Sequence, residues 1–322
     1  MKKLLVLAIL PLIMCGCEND KTRERDPNTV DYVLIAEPAL TATLKTTPNA
    51  KQYLDLQSEY KVKSENKILT QASVFVKSSL SNDVIHGAIE NKIKTSIEGM
   101  LANPDTISTN MNKVDDPKTI FGVMPAMAVE AAKNGNRMGI GYKPGYEIKN
   151  DLNEFLSIFN VQPIGDELIV QDAGSVDSFE KNDLKIVSPT GAPAIAMSAF
   201  ADLDGFETNT TPANFIPMLK NNSVDVAVLP TNVGINAIVA NNLQYKLLGT
   251  ITFGNLYIAS TGNDDDGIMD EDDYIVSFQQ GAVPDKIFHY VFGTKFDNAL
   301  HYVASNEDAA KCLKTGKNLI EE

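Results

Sequence analysis

Basic side chains are scarce in this chain. Its 322 residues hold 28 lysines and arginines against 42 aspartates and glutamates, a formal net charge of −14. Nucleic-acid binding depends on Lys and Arg facing phosphates, so this balance argues against such a partner. It argues equally against electrostatic adhesion to anionic lipid. Histidine is scarcer still, with only His86, His289 and His301. The H-E-x-x-H, G-x-S-x-G and phosphate-loop patterns are all missing. The histidines fall in an expected helix or beside core positions, so the expectation is no enzyme and no cofactor. Cysteine is limited to Cys15, Cys17 and Cys312. Removal of a leader leaves no disulfide framework and no cysteine metal site. The apolar run from Leu4 to Met14 is too short to span a bilayer as a helix.

That run follows the basic pair Lys2-Lys3 and ends in Met14-Cys15-Gly16-Cys17. The arrangement is that of a secretory signal. A small residue directly before Cys17 resembles a bacterial lipobox, although Met14 stands where leucine is usual. Residues 1–17 are therefore expected to be a lipoprotein signal peptide, with Cys17 lipidated and the protein anchored outside the cytoplasm on the cell membrane. Ordinary secretion with cleavage nearby is the alternative. Residues 18–27, polar and aperiodic, are expected to be a tether.

What is present is α/β patterning. The run Val224 to Leu229 is apolar apart from Asp225 and bounded by turn residues, which fits a strand covered on both faces. A Pro230-Thr231-Asn232 turn and a helix follow it. The same unit occurs at 28–38, where Asn28-Thr29-Val30-Asp31 leads into an apolar strand and then Glu37-Pro38. Two such units far apart predict two similar lobes, each offering a turn to a shared space. Further strands are expected at 51–56, 72–76, 184–187, 206–209, 245–251, 256–260, 274–278 and 300–304. Val84, Ile85, Ala88, Ile89, Ile93, Ile97 and Met100 recur at helical spacing over 82–101. Residues 161–183 show little pattern and are expected to be a linker.

Several of these residues carry a family resemblance. Pro189-Thr190-Gly191, Val224 through Asn232, Leu247-Leu248-Gly249, Gly254-Asn255-Leu256-Tyr257 and Gln280-Gly281-Ala282-Val283-Pro284 resemble the first part of a family. That family is the substrate-binding components of ABC transporters, of the nitrate, sulfonate, taurine and thiamine-pyrimidine type. Val30 through Pro38, Leu54-Asp55-Leu56-Gln57 and Gln71 through Val76 resemble the remainder. The two parts stand in swapped order, which implies a circular permutation. The segments around Asn28 and Lys317 should then be neighbours. The resemblance implies a two-lobed type II periplasmic-binding-protein-like α/β fold with mainly parallel sheets. It assigns 28–70 and 275–316 to one lobe and 71–160 and 184–262 to the other, with hinge crossings near 70–76 and 260–274. It also implies a monomer that binds a small ligand and docks to an ABC permease. A ligand-sensing lipoprotein without transport is the alternative. A thiamine-pyrimidine-synthase-like enzyme is disfavoured, because that branch's cysteine cluster is missing.

Candidate ligand residues lie where strands end and helices begin, since backbone N–H groups there lack helical partners. Thr190, Gly191 and Ala192 form one such turn, Thr231 and Asn232 a second, and Gly281 and Ala282 a third. The resembling motifs add Gln280, Asn255 and Tyr257. Glu37 begins the helix after the first strand, where it could hold a ligand amine or simply cap the helix. Each turn reads equally as a helix cap, and Tyr257 as a core aromatic. The helix ends favour an anionic group and Glu37 a basic one, so the expected ligand is small and polar or anionic. The acidic loop 263–273 resembles a calcium loop, but Gly262 occupies the first ligand position. It reads as solvated, with no metal.

Overall fold

The structure is a computed structural model that describes residues 28–80, 83–171, 184–264 and 266–319. The expected signal, tether and Cys17 lie outside these residues, as do 172–183 of the expected linker. The described strands are β1 Tyr32–Ala36, β2 Lys51–Asp55, β3 Ala72–Lys77, β4 Ile140–Pro144, β5 Ile186–Pro189, β6 Phe206–Asn209, β7 Val226–Pro230, β8 Tyr245–Thr252, β9 Leu256–Ser260, β10 Ile275–Phe278 and β11 Leu300–Val303. They form two sheets, ordered β11-β10-β1-β9-β2 and β4-β8-β3-β7-β5-β6. The fold is α/β, with helices packed on both sheets.

Both sheets are mixed, which corrects the expectation of mainly parallel ones. β1, β10 and β11 run parallel, as do β6, β5 and β7. β9 is antiparallel to β1 and β2, and β3 is antiparallel to β7 and β8. The reason lies in the connections. The chain passes from the smaller sheet to the larger through 64–71 and returns through 253–255. β3 and β9 are the strands entered by these crossings. Each starts at the edge where the two sheets face one another and runs away from it, against its neighbours.

The second crossing also differs from expectation. β9 pairs with β1 over Tyr32 to Ala36, so 256–260 belongs with β1 and not with 184–252. Gly254, at φ 98, supplies the turn that separates β8 from β9. The first crossing ends beside the expected 70–76. The described part of the expected linker is packed rather than loose. Ile164 and Ile169 are buried, and Val170 N–H donates to Leu247 O at 2.8 Å.

Packing follows from the residue pattern. Tyr32 to Ile35 are fully buried, as are Val226 to Leu229, because helices cover both faces of these central strands. Helix Asp83–Ala102 buries Ile89, Ile93, Ile97 and Met100 in the same core as Val226, Val228 and Ile186. Each such buried side chain contributes about 2 kcal/mol of transfer free energy. Helix Lys149–Ser157 reaches cores of both sheets, with Leu152 and Leu156 packed beside the larger and Phe155 beside the smaller. The two ends of the described chain meet. Thr29 bridges Lys317, Val30 N–H donates to Gly316 O at 3.0 Å, and Asn318 N–H donates to Asn28 O at 2.8 Å. This is the proximity that the swapped order required.

Candidate functional site

A cavity of about 280 Å³ lies between the two sheets. The carboxyl ends of six strands face it. Ala36 ends β1 and Glu37 follows it, Phe278 ends β10 and Gln279 follows it, and Ala304 to Glu307 follow β11. Pro189 ends β5 and Thr190 to Pro193 follow it, Thr210 to Pro212 follow β6, and Pro230 ends β7. The crossings supply its floor through Gln71 and Asn255. Open α/β sheets place ligands at this edge, where strands end and helices begin.

Of the candidate residues, Glu37, Thr190, Gly191, Ala192, Asn255 and Ala282 line the cavity. Thr231, Asn232, Tyr257, Gln280 and Gly281 do not. Thr231 is fully buried, and its hydroxyl donates to Thr70 O at 2.7 Å and bonds Ser73 Oγ at 2.8 Å. It ties β7 to the first crossing. Gln280 and Gly281 are exposed on the outer side of their turn. Tyr257 is buried and donates its hydroxyl to Arg137 O at 3.0 Å. Burial, chiefly, pushes its phenol well above the usual range, and the Asp55 charge adds to this.

Several of the helix-start N–H groups expected to await a ligand already have acceptors. Thr190 N–H donates to Asn209 O at 3.1 Å and Gly191 N–H to Phe121 O at 3.0 Å. Thr231 N–H donates to Gln71 O at 3.1 Å and Ala282 N–H to Gln279 O at 3.0 Å. Gly281 N–H donates to the Asp285 carboxylate at 2.7 Å. None of these partners is readable from local sequence, because each is set by the turn's own closure or by a neighbouring element.

Glu37 is likewise committed internally. Its carboxylate accepts from Thr41 N–H at 2.9 Å and from the Thr41 hydroxyl at 2.8 Å, and it pairs with Arg137 Nε at 2.9 Å. Its side chain is fully enclosed. Burial pushes its carboxyl above the ordinary range, against the opposing pull of Thr41 and Arg137. Arg137 precedes β4 of the larger sheet and stacks 5.0 Å from the Tyr257 ring centre. Tyr257 lies in β9 of the smaller sheet and Glu37 directly follows β1 of that sheet, so this trio links the two sheets. The sequence reading missed Arg137, yet it carried a signal: Arg23 and Arg25 are the only other arginines.

The cavity floor is a directed hydrogen-bond chain. Glu37 N–H donates to Asn255 O at 2.9 Å, and Asn255 Nδ2 donates to Glu37 O at 3.1 Å. With its amide nitrogen so fixed, Asn255 presents Oδ1 to Gln71 Nε2 at 2.9 Å. Gln71 Oε1 is then left as an enclosed acceptor with no partner. Gln71, Thr210, Thr211, Gln279 and the 304–307 turn line the cavity and were not singled out from sequence.

The aromatic residues around the cavity and the two described histidines outside the long helix take structural positions. Phe278 is buried at the cavity wall, Tyr32 lies in the smaller core and Phe253 packs near Gly141. His289 contacts Asp285 at 2.9 Å, and His301 stacks on Tyr274 at 3.8 Å. No group of His, Cys, Asp and Glu among the described residues is arranged to hold a metal ion. In the acidic loop, Asp264 accepts from the Tyr32 hydroxyl at 2.6 Å and Asp273 accepts from Asp270 N–H at 2.6 Å. No helix of the described residues is long and apolar enough to cross a membrane. Compared with known proteins, the chain matches no family model, no curated protein and no solved structure.

Proposed function

We propose that this chain is an extracytoplasmic solute receptor. It is anchored through lipid on Cys17, captures one small polar ligand between its two lobes, and delivers it to an ABC importer. The observation that carries the reading is the position of the cavity. It lies between two sheets and is lined by strand ends from both, and the described chain passes from one sheet to the other at 64–71 and 253–255. Such an arrangement lets a ligand change the angle between lobes, since contacts to both sides favour the closed form. The meeting of 28–30 with 316–318 supports a type II binding-protein fold in permuted order. The chain ends then fall in what the family has as a continuous connection, and the usual ends are joined through 161–183.

The receptor docks to its permease in the closed form, and the lipid keeps it near that partner. Mild crosslinking in the native host followed by purification tests this. Recovery of an ABC permease with its ATPase supports import. Recovery of other membrane proteins, with no importer subunit, supports the sensing alternative instead. A Cys17→Ala variant should leave the membrane fraction; if it stays, the anchor is not at Cys17.

A further inference from the structure

We infer that helix Ala39–Leu44 is a lever on the cavity, and that the pair Lys45–Glu130 is the clasp that holds it shut. The inference rests on the receptor reading and names the part that closes.

The helix begins at the cavity. Glu37, Pro38 and Ala39 line the wall, and the six helical residues then carry the chain about 9 Å onward to Lys45. A helix this short takes its stability from what it packs on. One side stays with the smaller sheet. Leu40 is fully buried in that core, and the helix packs on helix Asn306–Thr315. The other side meets the larger sheet. Ala42 packs against that core, and Lys45 Nζ lies 2.7 Å from Glu130 Oε2 on helix Pro125–Lys133. In the cavity itself, a Cβ at Gly191 would lie 4.0 Å from Pro38 Cδ, so the two walls meet there.

The two ends of the helix are held differently. The inner end is fixed at the second crossing. Glu37 N–H donates to Asn255 O, Asn255 Nδ2 donates to Glu37 O, and the enclosed Glu37 carboxylate pairs with Arg137. Gly139, two residues beyond Arg137, abuts the Gly254 carbonyl. This end parts only by breaking buried bonds, which makes it the pivot. At the outer end the Lys45 and Glu130 side chains are 53% and 39% exposed. A pair so exposed adds little and is screened by salt. Parting of the sheets therefore begins at Lys45, swings about Glu37, and draws Pro38 away from Gly191. A clasp this weak leaves the shut and open forms close in free energy. Ligand contacts to both walls can then decide between them.

A charge swap tests this. Lys118 and Lys314 are exposed, the first on a helix packed beside β6 of the larger sheet and the second on a helix packed on the smaller. A ketone-bearing amino acid at each of these positions carries a spin label without involving a cysteine. Double electron–electron resonance then reads the distance between the two sides at low and at high salt. It is applied to the wild type, Lys45→Glu, Glu130→Lys and the double variant Lys45→Glu/Glu130→Lys. At low salt each single variant is expected to gain about threefold in the ratio of a longer component to the compact one, the scale of one exposed ion pair. The double variant is expected to return to the wild-type ratio, which a general loss of stability would not do. High salt is expected to move the wild type and the double variant towards the longer component. A double variant that stays as long as the singles overturns the clasp and leaves the motion standing. Two components in the same ratio in all four proteins overturn the clasp and leave the receptor reading standing. One unchanging distance in all four overturns both the lever and the closure on which the receptor reading depends.

Discussion

Arg137 Nε lies 2.9 Å from Glu37 Oε1, and the two residues flank strands of different sheets. The Glu37 side chain is fully enclosed and the Arg137 side chain is 18% exposed. A pair this dry is weak as a source of stability but expensive to break from one side. Arg137→Met should therefore cost about 3 kcal/mol, because it strands a buried carboxylate. Adding Glu37→Gln should recover much of that loss, since glutamine can still accept from Thr41. Urea unfolding of both singles and the double gives the coupling. Additive losses would show that the pair does not act as a unit.

Gly139 sits at φ 61, and a Cβ there would run into the Gly254 carbonyl at the second crossing. Gly135 has a similar φ of 75, but a Cβ there would meet nothing within 4 Å. Gly135→Ala should cost about 1 kcal/mol from backbone strain alone, and Gly139→Ala about 2 kcal/mol or more. Unfolding midpoints of the two variants, compared with each other, check the crossing geometry. Equal losses would count against close contact between 139 and 254.

Asp273 is buried, and burial raises its carboxyl to about 6, with the charges of Asp264, Asp270 and Asp31 adding to the effect. A raised carboxyl stabilises the fold while protonated, and that stability is lost as pH rises through the folded value. Wild-type stability relative to Asp273→Asn should therefore fall between about pH 4 and pH 7, by on the order of 1 kcal/mol once screening is allowed for. At about pH 4 and below the two should converge. Thermal unfolding across this range checks it; a constant difference between the proteins would rule the coupling out.

Cys312 is fully buried, and burial raises its thiol above the usual range. Its alkylation by iodoacetamide should be slower in the folded protein than in urea, on the order of a hundredfold or more. Mass spectrometry of timed samples reads this directly. Equal rates would mean that the helix Asn306–Thr315 opens readily.

The meeting of Asn28 with Asn318 allows a change of chain order. Joining 319 to 28 through a short flexible linker and opening the chain within 172–183 should give a protein that unfolds cooperatively. Its stability should lie within about 2 kcal/mol of the parent, because the new link joins residues that already meet. Loss of cooperative unfolding would contradict the permuted reading.

What the sequence made legible follows from physics that acts locally. β1 and β7 were visible because strands covered on both faces are apolar throughout. Helix Asp83–Ala102 was visible because one face repeats at helical spacing. β4, Ile-Gly-Tyr-Lys-Pro at a sheet edge, was missed because an edge strand with Gly, Lys and Pro carries no such signature. The directions of β3 and β9, and the crossing at 253–255, depend on where one sheet faces the other. Hydropathy does not encode that. The same holds for the site. The turns at 190–192 and 282 could be placed by their strand ends. The partners that occupy their N–H groups, and the Glu37–Asn255–Gln71 chain, arise only when distant segments meet. Arg137 lay in an unpatterned Asn-Gly-Asn-Arg stretch, and its pairing with Glu37 spans 100 residues.

The claim on which the rest depends is that the cavity between the two sheets holds a small molecule. Native mass spectrometry of protein purified from its own host without denaturant tests it most directly, with Ala304→Trp beside the wild type. The account predicts a mass excess on the wild type that disappears on unfolding and is missing from Ala304→Trp. A wild type that carries no excess, or an excess equal in the two proteins, would contradict it.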